Sequence, residues 1–359
     1  LGQVEAAARE IGWRVQDVAD LLVVIKSTVP IGTTRHIHNM IKKELKKRGA
    51  VTQLTVVFNP EFLREGASLF DALYPDRIII GVEEQAKADR LFQLYRSICL
   101  QDFLPPACIS QPQKRKLPPF IKTTPISAEL IKYAANAFLA MKVSFINEFA
   151  GLSEQVGADI NEIAVGIGLD ERIGQRYLLA GAGWGGSCFG KDIKALLNTA
   201  SQYDYEMYLV EATIKANRRQ QNSIVKKLEK QLQVIQGKTI SILGISFKPD
   251  TDDVRDAPFL HIAQELTGLG ARVKAYDPVA IPTCSAKYPT LKVTYCNTPL
   301  LAAENSDALL ILTEWEEFKH LDYKTLGQKM HQKILLDGRN MLDRETLKKA
   351  GFTYIGVGR

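Results

Sequence analysis

Apolar and polar positions along the chain follow two rhythms. Residues 21–27 (LLVVIKS), 54–58 (LTVVF) and 77–82 (RIIIGV) are short apolar runs of the buried-strand type. Residues 4–11, 33–48 and 85–98 instead space their apolar positions as helices do. Strand–helix alternation of this kind predicts a parallel sheet covered by helices. Residues 101–124 look like a connector: Pro105, Pro106, Pro112, Pro118 and Pro119 interrupt them, they carry the basic run Lys114-Arg115-Lys116, and they lack a period. From Ser127 a long helical pattern runs past Glu154, with Ser127 as its expected N-cap and Glu129 in its first turn. Helices are also expected at 159–168, 190–202 and 205–236. Beyond Gly237 the alternation returns, with strands at 238–245, 272–276, 308–313 and 333–337 and helices at 258–269 and around Glu345. The pattern predicts an α/β chain in three parts: an open α/β domain over 1–125, an all-helical middle over 126–222, and a second open α/β domain over 223–359.

Composition narrows the class. With 359 residues, 46% hydrophobic and 24% charged, disorder and disulfide mini-scaffolds are excluded. No uncharged apolar stretch reaches the roughly eighteen residues of a membrane span. The net charge of +6 is mild, and its basic clusters at 42–48, 114–116 and 226–230 have no interleaved aromatics. They read as solvated faces, not as a nucleic-acid surface. An anionic small substrate suits the balance equally well. The five cysteines, Cys99, Cys108, Cys188, Cys284 and Cys296, show no CxxC spacing, so neither a disulfide frame nor a zinc site is indicated. A reducing, cytoplasmic compartment fits them.

Residues 181–186 (GAGWGG) match GxGxxG in form. A dinucleotide loop needs a strand before it, whereas residues 172–180 (RIGQRYLLA) read as helical, so the match is rejected as a pyrophosphate loop. A flexible segment that lets backbone approach a ligand closely is the better reading. It runs into Cys188, expected at the start of a helix where terminal amides favour negative charge, with Lys191 and Asp192 one turn on. A nucleophile with proton-handling partners is the sharper reading, and a buried small hydrophobe the plainer one. Lys132 and Asn136, spaced i, i+4, are either a functional pair or a solvated stripe. Glu61 and Glu65, after a strand and Pro60, either hold a water or begin a helix. Lys248 and Arg255, in the segment FKPDTDDVRDAP (247–258), suit phosphates near a strand-to-helix crossover. The acidic residues there lack calcium-loop spacing, and no metal is expected.

Taken together, KSTVP (26–30), NPEFLREG (59–66), PDRI (75–78), AELIKYAANAF (128–138), GGSCF (185–189), FKPDTDDVRDAP and DGRN (337–340) resemble the UDP-glucose/GDP-mannose dehydrogenase family. The wording of the acidic segment is more similar to its UDP-glucose branch. The resemblance implies two Rossmann-like parallel-sheet domains joined by the helical middle, NAD as cofactor, and oxidation of a nucleotide-sugar alcohol to a carboxylate in two hydride transfers. It implies Cys188 as the nucleophile that forms a thiohemiacetal and then a thioester, Lys132 and Asn136 as oxyanion stabilisers, and Asp192, Glu61 and Thr28 as handlers of water. It also implies sugar-nucleotide contacts from Phe62, Leu63, Glu65, Tyr177, Leu178, Leu179, Ala180, Gly181, Gly185, Phe247, Lys248 and Arg339. Arg172 would reach a partner's site in a homodimer built on the long central helix. Thr28, Glu65, Lys191 and Arg255 would touch NAD.

Two departures stand out. The strand, Gly-rich turn and helix with which family members hold the NAD pyrophosphate are not in this sequence, and the chain opens with Leu1-Gly2. This predicts an NAD domain truncated at its front. The basic connector also looks longer than the family's. GDP-mannose or a UDP-N-acetylhexosamine is the alternative substrate, and a truncated, non-catalytic sugar-nucleotide binder is the alternative from another class.

Overall fold

The computed structural model describes residues 1–15, 18–112 and 116–359. Lys114 and Arg115 of the basic run lie outside the described residues. The chain divides into two compact units, one made of residues 1–135 with 201–203, the other of 136–200 with 204–359. Helix Pro125–Val156 runs from the first into the second.

The first unit holds a four-stranded sheet, β1 (Asp20–Ile25), β2 (Gln53–Phe58), β3 (Ile78–Gly81) and β4 (Phe120–Thr123), in that order. Side chains alternate faces along a strand, and both faces of this sheet are buried. Val56, Phe58 and Ile79 pack on one side with Ile37, Ile41 and Leu45 of helix Thr33–Lys47 and Ala8 of helix Gly2–Arg14. Val57, Ile78 and Ile80 pack on the other with Leu91 and Cys99 of helix Ala88–Leu100. That two-sided burial is why these strands read as continuous apolar runs. β1–β2 and β3–β4 are parallel, but β2 meets β3 through one antiparallel pair, Phe58 with Gly81, so the sheet is not parallel throughout. β4 lies inside the expected connector. It is an edge strand entered through Pro118-Pro119, where the ring nitrogens need no ladder partner.

The second unit opens with helices Ile160–Gly168, Phe189–Ser201 and Tyr208–Leu232. Its sheet contains β5 (Thr239–Leu243), β6 (Arg272–Tyr276), β7 (Val293–Tyr295), β8 (Ala308–Ile311), β9 (Ile334–Asp337) and β10 (Thr353–Ile355). Every pairing is parallel, and the spatial order β10-β9-β8-β5-β6-β7 is that of a dinucleotide-type doubly wound sheet. The chain reverses direction of travel between β5 and β8, and ligands of such sheets bind outside the carboxyl ends at that switch point. β7 and β10, three residues each at the two edges, were too short to show a period. Both units are α/β, the doubly wound order being that of the second sheet, and no helix among the described residues is long and apolar enough to cross a membrane.

Residues 172–180 are turns, not the expected helix: Gly174 and Tyr177 both take positive φ, which ends helical progression. The glycine segment that follows is threaded against the protein itself. Ala182 donates to Gly338 O at 2.8 Å and Gly186 to Arg255 O at 2.9 Å. A Cβ on Gly185 would stand 2.3 Å from Asp256 O and 2.9 Å from Ala257 Cα, both backbone atoms. Gly185→Ala is therefore expected to destabilise by about 1–3 kcal/mol through overpacking. Gly268→Ala, in a helix and with nothing within 4 Å, is expected to stabilise by about 0.4–1 kcal/mol. Urea unfolding of the two variants checks both signs.

Candidate active site

Each unit gathers part of the expected set. In the first, β1 exits into Lys26-Ser27-Thr28 and β2 into Asn59-Pro60-Glu61, so these loops begin at neighbouring carboxyl ends of parallel strands. Asn59, buried, holds them in place: its Oδ1 accepts from Lys26 Nζ at 2.9 Å and Tyr95 Oη at 2.6 Å, and its Nδ2 donates to Ile79 O at 2.9 Å. Sequence reading passed over Asn59; the available signal was a lone amide directly after an apolar strand.

Helix Pro125–Val156 starts earlier than expected because Thr124, not Ser127, supplies the cap: Thr124 Oγ1 accepts the Ser127 amide at 3.2 Å. Two turns further in, Lys132 is 3% exposed. Its ammonium donates to Glu61 O at 2.6 Å, lies 3.3 Å from Glu61 Oε1, and sits 5.1 Å from the centre of the Phe62 ring. A buried ammonium needs such partners, since leaving it unpaired is costly. A solvated stripe is thereby excluded for Lys132. Glu61 does not begin a helix either: residues 59–65 are irregular, the next helix is Ser68–Leu73, and Glu61 Oε2 accepts from the Leu63 amide at 2.7 Å. Phe62 is stacked from its other partner, Arg77, at 3.8 Å, and burial lowers the Arg77 pKa. Thr28 and Glu65 are half-buried and Leu63 exposed.

In the second unit Cys188 immediately precedes helix Phe189–Ser201 and is exposed. Cys188 O accepts the Asp192 amide at 2.9 Å, so Asp192 lies one turn above it. Asp192 is 2% exposed and Asn136 7%. Asn136 Nδ2 donates to Asp192 Oδ2 at 2.6 Å, while among the described residues Asp192 Oδ1 has no hydrogen-bond donor and the Lys191 ammonium lies 3.6 Å away. Cys188, Asp192 and Asn136 thus form one connected group. Lys191 points mostly to solvent.

The remaining residues of this unit surround the carboxyl ends of β5, β8 and β9. Arg339, just past β9, donates from Nε to Leu312 O at 2.7 Å and from Nη2 to Phe247 O at 3.3 Å, and pairs with Glu314 at 3.1 Å. The Phe247 ring rests on Gly186, where a Cβ would come within 2.8 Å, and Lys248 stands 5.5 Å over the same ring. Gly181 crosses Gly338 O, with room for no Cβ (2.7 Å), and its amide donates to buried Asn147 at 2.8 Å. The glycine segment therefore does approach closely, but to protein backbone and to Phe247. Leu178 and Ala180 are buried in the core, leaving Leu179 as the exposed side chain of the 177–181 run. Arg255 is clasped by Asp253, Nε to Oδ1 at 2.8 Å and Nη2 to Oδ2 at 2.8 Å. Arg172 is not drawn into this group; its exposed guanidinium pairs with Asp170 and holds that carboxyl below its ordinary pKa. Asp277, unremarked in the sequence, organises the crevice floor by accepting the Ile245, Ser246, Val279 and Ala280 amides. Among the described residues no group of three or more His, Cys, Asp or Glu is placed to hold a metal ion.

Comparison with known proteins identifies the family. Profiles of the UDP-glucose/GDP-mannose dehydrogenase family match in three places: its NAD binding domain over residues 1–99, its central domain over 126–219 and its UDP binding domain over 241–344. The expectation of an NAD domain lacking its front is corrected: that domain is present, matched over 1–99. The UDP-glucose 6-dehydrogenase TuaD of Bacillus subtilis is 43% identical over 359 residues, covering 100% of this chain and 73% of TuaD. The UDP-glucose 6-dehydrogenase of Rhizobium meliloti is 41% identical, covering 100% of this chain and 78% of its own length. A solved UDP-glucose dehydrogenase from Pyrobaculum islandicum superposes with a TM-score of 0.83 at 35% identity, over 99% of this chain and 75% of that one. Carrying all three domains in order, the chain belongs to the UDP-glucose/GDP-mannose dehydrogenase family, a family of NAD-dependent oxidoreductases.

Proposed function

We propose that the protein oxidises UDP-glucose to UDP-glucuronate in two steps. The observation that carries this reading is the Cys188–Asp192–Asn136 group: an exposed thiol one turn from a buried carboxylate that keeps one oxygen without a hydrogen-bond donor. The first oxidation leaves an aldehyde. Cys188 Sγ adds to its carbon, giving a thiohemiacetal whose oxidation leaves a thioester. Water then attacks the thioester, releasing the carboxylate and the thiol. Lys132 stabilises each oxyanion, and Asn136 holds Asp192 so that Oδ1 takes the proton from water, with Glu61 and Thr28 orienting that water.

NAD is the family's cofactor, and when bound it supplies the hydride acceptor for both oxidations. The residues present fit it in kind. Thr28 and Glu65 follow adjacent strand ends in one unit and suit ribose or carboxamide groups, while the exposed cations Lys191 and Arg255 in the other suit a pyrophosphate. The UDP-sugar contacts are assigned to Phe62, Leu63, Glu65, residues 177–181, Gly185, Phe247, Lys248 and Arg339. The switch-point crevice of the second sheet supports this for the last three.

The protein is read as a cytoplasmic homodimer, without nucleic-acid or membrane partners. Five free thiols support a reducing compartment. Phe138, Phe145, Phe149 and Leu152 form an exposed apolar row on the long helix and support a partner helix there, while Arg172 would have to exchange Asp170 for a group of the partner.

Three outcomes are expected. UDP-glucose supports NADH formation at higher initial rates than GDP-mannose or UDP-N-acetylhexosamines; Cys188→Ala abolishes it and Lys132→Ala lowers kcat about 10²–10³-fold. No turnover with any of these sugars would sink the reading. In thiol titration of the native protein, Cys188 and Cys108 react fast, whereas Cys99, Cys284 and Cys296, whose pKa values burial raises, react only after unfolding. Phe145→Glu converts the dimer to monomer in light scattering, and a wild-type monomer would remove the dimer from the proposal.

A further inference from the structure

Helix Thr33–Lys47 begins without a cap of its own: Gly32 has no side chain to offer, and no acid stands in the first turn. Its exposed amides are satisfied from far along the chain. Glu129, fully buried, accepts the Gly32 amide at 2.5 Å on Oε2, and the Thr34 amide at 2.8 Å and Thr34 hydroxyl at 2.6 Å on Oε1. A carboxylate there meets both the orphan donors and the positive end of the helix dipole.

The location gives this contact a second consequence. Glu129 precedes Lys132 by three residues on one helix, so the two occupy neighbouring positions on successive turns. Gly32 follows Thr28 by four residues, and Val29 between them is anchored in the core. The exit of β2 is tied to the same stretch of helix through Lys132 and Glu61 O. Glu129 is what ties the exit of β1 to it. We propose that Glu129 is a positioning residue: its clamp on Gly32 and Thr34 fixes the Thr28 loop relative to the Lys132 ammonium. This rests on the dehydrogenase reading above. A carboxylate that merely capped the helix would affect stability alone.

The test uses Glu129→Gln in the full chain. The amide keeps one acceptor oxygen where three donors need two, and turns an N–H group toward another N–H. Expected are a kcat lower by about 10- to 100-fold and a KM for UDP-glucose within about threefold, as small misplacements of catalytic groups produce. Combined with Thr28→Val, the double variant should be slower than Thr28→Val alone by less than Glu129→Gln slows the wild type, because the effect passes through the Thr28 loop. Two readouts need no turnover. Amide exchange at Gly32 and Thr34 should accelerate while residues 37–45 stay protected, and Lys132 should become open to acetic anhydride. Additive kinetics, an unchanged kcat with a lowered Tm, or unchanged exchange at 32 and 34 would each overturn the proposal. Should Glu129→Gln fail to fold, Thr34→Val removes one of the three bonds and must show the same pattern on a smaller scale. A wild-type protein that does not oxidise UDP-glucose defeats the dehydrogenase reading instead, and the exchange and labelling results then judge the clamp by themselves.

Discussion

An ammonium ion held almost wholly out of water sets the terms for the first unit. Lys132 has to be solvated by protein, and the carbonyl and carboxylate of Glu61 with the face of Phe62 do so. That demand explains why residues 59–65 fold as an irregular loop beneath the helix, when their composition would suit a helix start. Asn59 joins the ends of three strands below that loop, and Arg77 braces Phe62. The ammonium is therefore held by several fixed partners at once, the preorganisation on which the proposed oxyanion role of Lys132 depends.

The second unit solves a different problem, bringing an exposed thiol and the switch-point crevice onto one sheet and its covering helices. Its glycine segment is fixed from both sides. Asn147, Asn217 and Gln220 of the helices bond its backbone at Gly181 and Trp184, and the loops after β5 and β9 receive Gly186 and Ala182. Cys188 follows this segment by two residues, so the start of its helix is placed by the packing of glycines.

Much of this was legible in the residues. The buried runs of β1, β2, β3, β5, β8 and β9 announce themselves because both faces of each sheet are covered. Cys188, Asp192, Lys132 and Asn136 stood out because charges and a thiol interrupted apolar or glycine-rich surroundings. The edge strands β4, β7 and β10 did not, being short and half-solvated. Glu129 and Asn59 were hidden for another reason. Their significance lies in partners distant in sequence, and a lone acid in a helix's first turn looks like local capping of its own helix. Residues 172–180 misled because their leucines and arginines suit a helix, while Gly174 and the left-handed Tyr177 interrupt one.

The order of strands in the second sheet also has a kinetic side. β5 is the first of the six to leave the ribosome and one of the two central strands in space, flanked by β6 and by β8. The pairing with β6 closes early, Ile240 to Val273, but Ile240 meets Ala308 only after two more helices and an edge strand have been made. Until then one edge of β5, a strand that ends buried along its whole length, has no neighbour. Closing such long loops is the slow part of assembly, so the nascent chain passes through a half-sheet with an open, sticky flank, and that interval is when misassociation between copies is most costly.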